Sequence, residues 1–345
     1  MSVKISFAEP EIIAPVDLCL PDGRLNPAAI GWSRRPLHRC NLAPRPWGPK
    51  KRWDFWAVTS DTHMLRLTYG CTDYVGVVSV NWLEYDQGRP IEHARMLPLA
   101  RGMTFPETVG GRDLVYRSKN LSLGMYEETG GTRLQATVRA RGCELAADIL
   151  IARPPNHETL NVVIPWSDTR FQFTSKQTAR PAEGTVTLNG KSFRFEHANH
   201  SFGCLDYGRG IWPYHTVWNW GAAAGWQDGR VVGLTLGGKW TDGTGMTESG
   251  FCVNGRLHKV SEPLIWAYDR GDFRRPWRIY APFTRAVDLE LTPLHEEAQR
   301  LELGLIGTEL HWVLGHFNGT MRTDRGDVVE VRDLLGWVEE HEARW

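Results

Sequence analysis

Apolar and polar residues alternate with a period of two over many short stretches of the chain. Residues 133–139 and 287–291 are clear cases, with an apolar side chain at every second position. Because successive side chains of a strand point to opposite faces, this pattern predicts strands with one buried face and one wet face. Dipeptides that favour tight turns separate the runs: Gly130-Gly131, Asn189-Gly190, Asp228-Gly229, Asp242-Gly243, Asn254-Gly255 and Asn318-Gly319. The pattern therefore predicts antiparallel hairpins, most clearly around Asn189-Gly190.

Helical periodicity is nearly absent from the sequence. A spacing of 3.6 residues fits only the stretch from Pro293 to Leu301 and the last dozen residues. We therefore predict an all-β protein, built as two tandem antiparallel β-barrels or strongly bent sheets.

Three segments are expected along the chain. Residues 1–50 are rich in Pro and Arg without periodicity, which predicts an irregular N-terminal lead-in. Residues 51–175 and 176–345 are each long enough for a closed or nearly closed barrel. The polar stretch from Arg180 to Gly184, which contains Pro181, is expected to form the seam between an N-terminal and a C-terminal β-barrel domain.

The charge balance argues against two classes of partner. The 345 residues contain 40 basic and 40 acidic side chains, a formal net charge of zero. Nucleic acids and anionic lipids are held mainly by clusters of basic residues, so neither is expected to bind. There is no run of 18 apolar residues, and three acids and two prolines between positions 9 and 17 are unlike a signal peptide. We predict a cytoplasmic protein without stable membrane insertion.

Neither cysteine nor histidine spacing indicates a metal. The six cysteines lie tens of residues apart without a C-x-x-C pair, which predicts reduced and mostly buried thiols. The pairs His197/His200 and His311/His316 lack a third ligand at metal spacing. Glycines at 237–245 lack the spacing of a phosphate-binding loop, so no cofactor is expected. The 16 tryptophans instead favour a β-rich core or a large aromatic cavity.

The segment from Leu205 to Gly221 holds the strongest candidates for chemistry. If residues 214–220 are extended, Tyr214, Trp218 and Trp220 lie on one face and form an aromatic wall. Those rings could simply fill a barrel interior. However, the same segment also contains ionisable side chains, which persist in buried places only when they are paired or functional.

Asp206 is the preferred proton donor in this segment. Neighbouring aromatic rings would desolvate its carboxylate and so favour the protonated acid. The alternative is a structural residue that accepts hydrogen bonds from a turn at Gly208 and Gly210. The predicted catalytic residues are Asp206, Tyr214, His215 and Glu248. The predicted substrate-binding residues are Lys176, Tyr207, Arg209, Trp212, Trp218, Trp220, Lys239 and Trp240.

Four segments carry a family resemblance. Residues 206–221, 237–248, 276–278 and 336–345 resemble the bacterial domain of unknown function 2804. More distantly, a Trp-x-Trp strand in tandem barrels resembles the lipocalin-like superfamily of carotenoid 1,2-hydratase and tocopherol cyclase. That resemblance implies two lipocalin-like barrels, with an alkene protonated or a cation steered in a cavity between them. The hydratase pattern has His-x-Trp where this chain has His200-Ser201-Phe202, which favours Asp206 over a histidine as the acid.

Three functions fit these observations. The first is a lyase or isomerase, such as a hydratase, cyclase or double-bond isomerase, that acts by acid catalysis on a small hydrophobic or polycyclic substrate. The second is a non-catalytic carrier of a lipid-like ligand. The third is a carbohydrate-active protein in which Asp206 and Glu248 form a carboxylate pair.

Overall fold

Strands account for almost all regular structure in the computed structural model, which describes residues 7–345. They are, in chain order, β1 Val16–Asp17, β2 Trp32–Ser33, β3 His38–Arg39, β4 Lys50–Thr59, β5 His63–Cys71, β6 Val75–Glu84, β7 Ile91–Pro98, β8 Leu114–Arg117, β9 Leu121–Glu128, β10 Gly131–Ala140, β11 Cys143–Ala152, β12 Leu160–Pro165, β13 Phe171–Leu188, β14 Lys191–Phe195, β15 Phe202–Ile211, β16 His215–Gln227, β17 Arg230–Gly238, β18 Gly250–Val253, β19 Arg256–Lys259, β20 Ile265–Ala267, β21 Trp277–Tyr280, β22 Val287–Leu303, β23 Ile306–Arg322 and β24 Val328–Arg344. Two short 3₁₀ turns, Pro27–Ala29 and His197–Asn199, are the only helical elements in the described part of the chain.

Two large sheets, each curled into a half-barrel, form the molecule. The first has 13 strands, with a main order of β7-β6-β5-β4-β15-β13-β11-β10-β9-β8, and β2, β12 and β14 pair beside this path. The second has nine strands in the order β19-β18-β17-β16-β24-β23-β22-β21-β20. Each sheet has its own apolar core. The all-β prediction of two strongly bent antiparallel sheets is therefore confirmed.

The chain passes from one sheet to the other between Ile211 and His215. The boundary predicted between residues 175 and 176 instead falls inside β13, which continues to Leu188. The polar stretch from Arg180 to Gly184 is not a seam, because it lies in the same strand after a register shift between residues 177 and 180. Such a bulge inserts residues without ending the strand.

The lead-in before β4 is irregular, as predicted, in the residues that the structure describes. It contains only the three two-residue strands β1 to β3 and one 3₁₀ turn. The pair β1 and β3 forms a small parallel sheet, whereas β2 adds to the first large sheet by pairing with β12.

The two stretches with a spacing near 3.6 residues are strands, in agreement with the all-β prediction. The stretch from Pro293 to Leu301 lies within β22, and the last dozen residues lie mostly within β24. A register shift between Pro293 and His295 leaves Leu294 unpaired against β23, and this side chain is exposed. An extra residue exchanges the two faces of a strand, so the period of two is interrupted there. The interruption resembles a helical spacing in the sequence.

The turn dipeptide Asn189-Gly190 closes a hairpin between β13 and β14, as predicted. Both residues have positive φ, at 50° and 84°. This backbone matches the twist of the flanking strands and is the reason that Asn-Gly is favoured in two-residue hairpin turns.

Gly208 lies in the middle of β15 and does not form a turn. A Cβ atom at this position would lie 2.2 Å from atoms of the Trp53 ring and 2.5 Å from the Gln172 amide. The glycine therefore permits the indole of Trp53 to pack directly on the backbone of β15. The interpretation of Asp206 as a residue of a flexible glycine turn is wrong, because Asp206 and Gly208 share one regular strand.

We expect Gly208→Ala to lower the free energy of unfolding by about 1–3 kcal/mol, because the added methyl group overpacks the contact with Trp53. Urea unfolding followed by circular dichroism measures the change. Gly229→Ala is the control for loss of a glycine in an uncrowded place, although its positive φ of 75° adds some backbone strain. A Gly208→Ala protein as stable as wild type would contradict the packing argument.

A third apolar layer lies between the two sheets. It is formed by side chains from both: Trp32, Leu160, Val162, Ile164, Trp212, Trp240, Met246, Cys252 and Leu257 in one cluster, and Ala57, Met64, Leu83, Cys204, Trp220, Ala222, Trp312, Leu314 and Trp337 in another. All six cysteines are free and buried. Within residues 7–345, no helix has the length and apolar character needed to cross a membrane.

Candidate functional site

A cavity of about 440 Å³ lies between the two sheets. Strands β4, β5, β6, β13 and β15 line it from the first sheet, and β16, β22, β23 and β24 line it from the second. Seven tryptophans contribute to its wall: Trp53, Trp212, Trp218, Trp220, Trp240, Trp312 and Trp345. The period-two alternation of β16 directs Trp218 and Trp220 to this side of the strand. The wall is thus mainly aromatic, with a few ionisable side chains set into it.

A buried ammonium binds two carboxylates at one part of the cavity. Lys176 Nζ lies 2.8 Å from Asp206 Oδ1 and 3.2 Å from Glu248 Oε1, and 4.1 Å from the centre of the Trp220 ring. Lys176 and Asp206 are directly opposite each other on β13 and β15. The lysine side chain is only 4% exposed, and Glu248 only 2%. This is a cross-strand ion pair to which the loop between β17 and β18 adds a second acid.

The protonation of this cluster follows from burial and charge. Burial opposes the positive charge of Lys176, but the neighbouring carboxylates of Asp206 and Glu248 outweigh it and raise the lysine pKa. Burial raises the pKa of Glu248 to about 7, although the ammonium works in the opposite direction. The close approach of Glu248 depends on Gly237, where a Cβ atom would lie 2.8 Å from Glu248 Oε2.

Glu339 is a further carboxyl of the cavity and belongs to β24. The indole N–H of Trp218 donates a hydrogen bond of 2.8 Å to Glu339 Oε1. Burial raises the pKa of Glu339 to about 7, and the negative charges of Asp206 and Glu248 add to this increase. Glu339 is half-buried, and its free surface faces the cavity. It can therefore hold a proton near neutral pH and still reach a bound molecule.

His341 follows Glu339 on the same face of β24. Its ring lies 4.1 Å from the ring of Trp218, and its Nε2 atom is 2.6 Å from the Thr308 hydroxyl. Burial lowers the pKa of His341 to about 3. The imidazole is thus neutral at physiological pH and acts as a further aromatic wall residue.

We expect Glu339→Gln to change the pH dependence of stability. A carboxyl whose pKa is raised on folding stabilises the protein most at low pH, and this contribution is lost as pH rises from about 4.5 through about 7. The difference in melting temperature, variant minus wild type, should therefore be more positive at pH 8 than at pH 4.5. Thermal unfolding over this range measures the change. Parallel curves for the two proteins would contradict a raised pKa at Glu339.

A second ion pair crosses the cavity wall. Arg66 Nη2 of β5 lies 2.7 Å from Glu297 Oε2 of β22 and donates to Asn81 Oδ1 at 2.6 Å. The guanidinium also lies 4.3 Å from the centre of the Trp312 ring. This pair joins the two sheets directly, because its members belong to different sheets.

The structure brings together seven of the residues predicted from the sequence. Asp206, Glu248, Lys176, Trp212, Trp218, Trp220 and Trp240 all line the cavity. Asp206 contacts the cavity and forms an ion pair with Lys176. One ammonium contacts both Asp206 and Glu248.

Five predicted residues do not line the cavity. Tyr207 and Arg209 point to the opposite face of β15, where Tyr207 packs in the core of the first sheet and Arg209 forms an ion pair with Asp54 at 2.5 Å. Tyr214 is exposed and its hydroxyl donates to the carbonyl of Leu305. His215 is also exposed, 2.9 Å from Glu342 Oε1. Lys239 is bound instead to Glu340 and Tyr268.

The sequence analysis missed most of the other cavity residues, among them Lys51, Glu339, His341 and Trp345. A signal was present for three of these four. Trp337, Glu339 and His341 occupy alternate positions of β24, and Trp345, just after the strand, continues the same period of two. Lys51 gave no signal, because a single lysine at the start of a strand is indistinguishable from a solvated one.

The histidine pairs have other partners. Within residues 7–345, no group of three or more His, Cys, Asp or Glu side chains is arranged to hold a metal ion. His200 contacts Asp61 at 2.9 Å, and His311 contacts Glu296 at 2.8 Å.

The solved structures similar to this chain include the following two. An AttH-like protein from Nitrosomonas europaea has 12% sequence identity and a TM-score of 0.48, over 84% of this chain and 92% of that one. Kievitone hydratase from Nectria haematococca has 11% identity and a TM-score of 0.47, over 86% of this chain and 89% of that one. At these values the similarity carries no inference about activity.

No functionally curated protein is significantly similar to the chain in sequence. A model of the family described as domain of unknown function (DUF2804) matches residues 9–345. This match confirms the resemblance indicated by the four segments named above, and the chain belongs to the DUF2804 family.

Proposed function

We propose that the protein is a lyase or isomerase that protonates a carbon–carbon double bond of a small hydrophobic molecule bound between the two sheets. The observation that carries this proposal is the convergence of carboxyl groups on a tryptophan-lined cavity. Hydratases, cyclases and double-bond isomerases of this kind share two needs, an acid that is neutral at pH 7 and a surface that stabilises a carbocation.

Glu339 is the proton donor in this proposal. Its raised pKa of about 7 leaves a large fraction of the carboxyl protonated at neutral pH. The Trp218 N–H occupies Oε1, and Oε2 accepts no hydrogen bond from the described part of the chain. That oxygen is therefore free to carry the proton toward a bound alkene.

Asp206 is the proton acceptor in this proposal. Transfer of the Glu339 proton to one alkene carbon leaves a positive charge on the other, which the indole faces stabilise. The cation is then consumed in one of two ways. Water adds to it and loses a proton to the Asp206 carboxylate, which gives hydration, or an adjacent C–H loses its proton to Asp206, which gives isomerisation. Lys176 holds the Asp206 carboxylate in place through its ion pair.

Isotope transfer tests the proposal. The purified protein is incubated in D₂O with an organic-solvent extract of the source cells, and the extract is analysed by mass spectrometry. We expect one compound to gain deuterium on carbon, or the mass of D₂O, only when active protein is present. The Glu339→Gln protein serves as the control, because it keeps the cavity and lacks the acid.

The carrier hypothesis predicts a different result. A carrier would retain a compound from the extract through gel filtration without altering its mass. Retention with no isotope gain in any compound would therefore overturn the catalytic proposal and favour a carrier.

A further inference from the structure

Lys51 is a buried lysine at the cavity that the proposed reaction does not use. It is the second residue of β4, only 1% exposed, and it lies on the same face as Trp53 and Phe55, which also line the cavity. Its ammonium lies 4.9 Å from the centre of the Tyr74 ring and 5.3 Å from that of Trp345. Within residues 7–345 its Nζ atom makes no hydrogen bond and has no carboxylate within 4.0 Å.

The other cations of the cavity wall are already paired. Arg52 lies 2.6 Å from Asp73, Arg66 lies 2.7 Å from Glu297, and Lys176 contacts two carboxylates. Asp73 is also occupied by the backbone N–H of Gly48, 2.8 Å from its second oxygen. The charges around Lys51 are therefore satisfied by one another and leave its ammonium without a counter-ion.

An unpaired ammonium is costly to bury. Aromatic faces offset the cost of burying a cation only in part. Buried charges are therefore found mainly where they are paired or functional. Burial accordingly lowers the pKa of Lys51 to about 8, although Asp73 partly opposes this effect. The group is thus still mostly protonated at pH 7. A ligand that supplied a negative charge would complete its environment.

We propose that the ligand of this cavity carries an anionic group, such as a carboxylate or a phenolate, and that Lys51 is the residue that binds this group. This inference rests on the proposed function, because it assigns a substrate class to the same cavity. An anion at Lys51 would fix one end of a hydrophobic molecule beside Trp345, and the double bond would then lie toward Glu339 and Asp206.

A pair of dyes tests the inference. The probes are 8-anilinonaphthalene-1-sulfonate and N-phenyl-1-naphthylamine, which share one ring system and differ in the sulfonate. We expect both to bind wild type in competition with each other, and the anionic dye to bind more tightly. Lys51→Met should weaken binding of the anionic dye roughly ten- to a hundredfold, the value of a hydrogen bond to a charged group. Binding of the neutral dye should be unchanged.

Lys50→Met is the matched control. Lys50 is the preceding residue on β4, and its Nζ atom donates to the carbonyl of Arg45 instead of lying at the cavity. The control removes the same charge from the same strand and should affect neither dye. Equal changes for both dyes in the Lys51→Met protein, or no change for either, would overturn the inference and leave the proposed function standing. Absence of binding of both dyes to wild type would overturn both.

A pH series on wild type keeps the inference testable if Lys51→Met fails to fold. Three ionisable groups besides Arg52 neighbour Lys51, namely Asp73, Cys71 and Tyr74. The preference for the anionic dye should fall as pH rises through about 8, where Lys51 loses its proton. Ionisation of Glu248 and Glu339 near pH 7 gives a separate, earlier decrease. A preference that stays constant between pH 8 and 10 would overturn the inference.

Discussion

Glu339→Gln is expected to reduce turnover by a factor of about 10² to 10⁴, the range typical of general acid catalysis. The substitution keeps the shape of the side chain and its hydrogen bond from Trp218, but it removes the transferable proton. Affinity for the substrate and the native fold should stay close to wild type. The measurement is the steady-state rate with the compound that gains deuterium, together with the KM for that compound.

The pH profile separates an acid from a structural residue. Because the pKa of Glu339 is raised to about 7, the wild-type rate should decline as pH rises above that value and the carboxyl loses its proton. The residual rate of the glutamine variant should lack this step. Glu342→Gln is the matched control, since Glu342 lies on the same strand but is exposed and pairs with His215. Equal rates for the Glu339 and Glu342 variants would exclude Glu339 as the donor.

The architecture could be predicted from the sequence because it depends on local signals. Period-two alternation and turn dipeptides such as Asn189-Gly190 reflect strand geometry residue by residue, so they predicted two bent sheets without knowledge of their pairing. The position where the sheets change could not be found in this way. A continuous strand with a bulge, as in β13 from Phe171 to Leu188, contains the same polar and proline residues as a linker.

The clearest part of the site prediction came from residues that are close in sequence. Asp206, Trp218 and Trp220 lie in one segment, and their alternation indicated an aromatic wall. Glu339 reaches the same cavity from a strand more than a hundred residues away, since β16 and β24 are neighbours in the second sheet. No pattern within a single segment specifies such a pairing. Lys176 was predicted as a substrate-binding residue, but its position opposite Asp206 on the neighbouring strand was not.

Lys176→Met is expected to lower the free energy of unfolding by about 3–5 kcal/mol at pH 8, because it leaves buried carboxylates without their counter-ion. Lys176 is 4% exposed and contacts both Asp206 and Glu248. Solvent at this buried position would not compensate the two carboxylates for loss of the ammonium. Urea unfolding measures the change.

Three comparisons show whether the effect arises from unpaired charge. Lys191→Met removes an exposed ion pair with Glu84 and should cost no more than about 1 kcal/mol. At pH 5 the loss from Lys176→Met should be smaller than at pH 8, since Glu248, with its pKa raised to about 7, is then protonated and needs no counter-ion. The double variant Lys176→Met/Glu248→Gln should recover part of the stability at pH 8 for the same reason. If Lys176→Met were no more destabilising than Lys191→Met, the ammonium would not hold the carboxylates of the cavity in place, and the assignment of Asp206 as an ionised proton acceptor would fail with it.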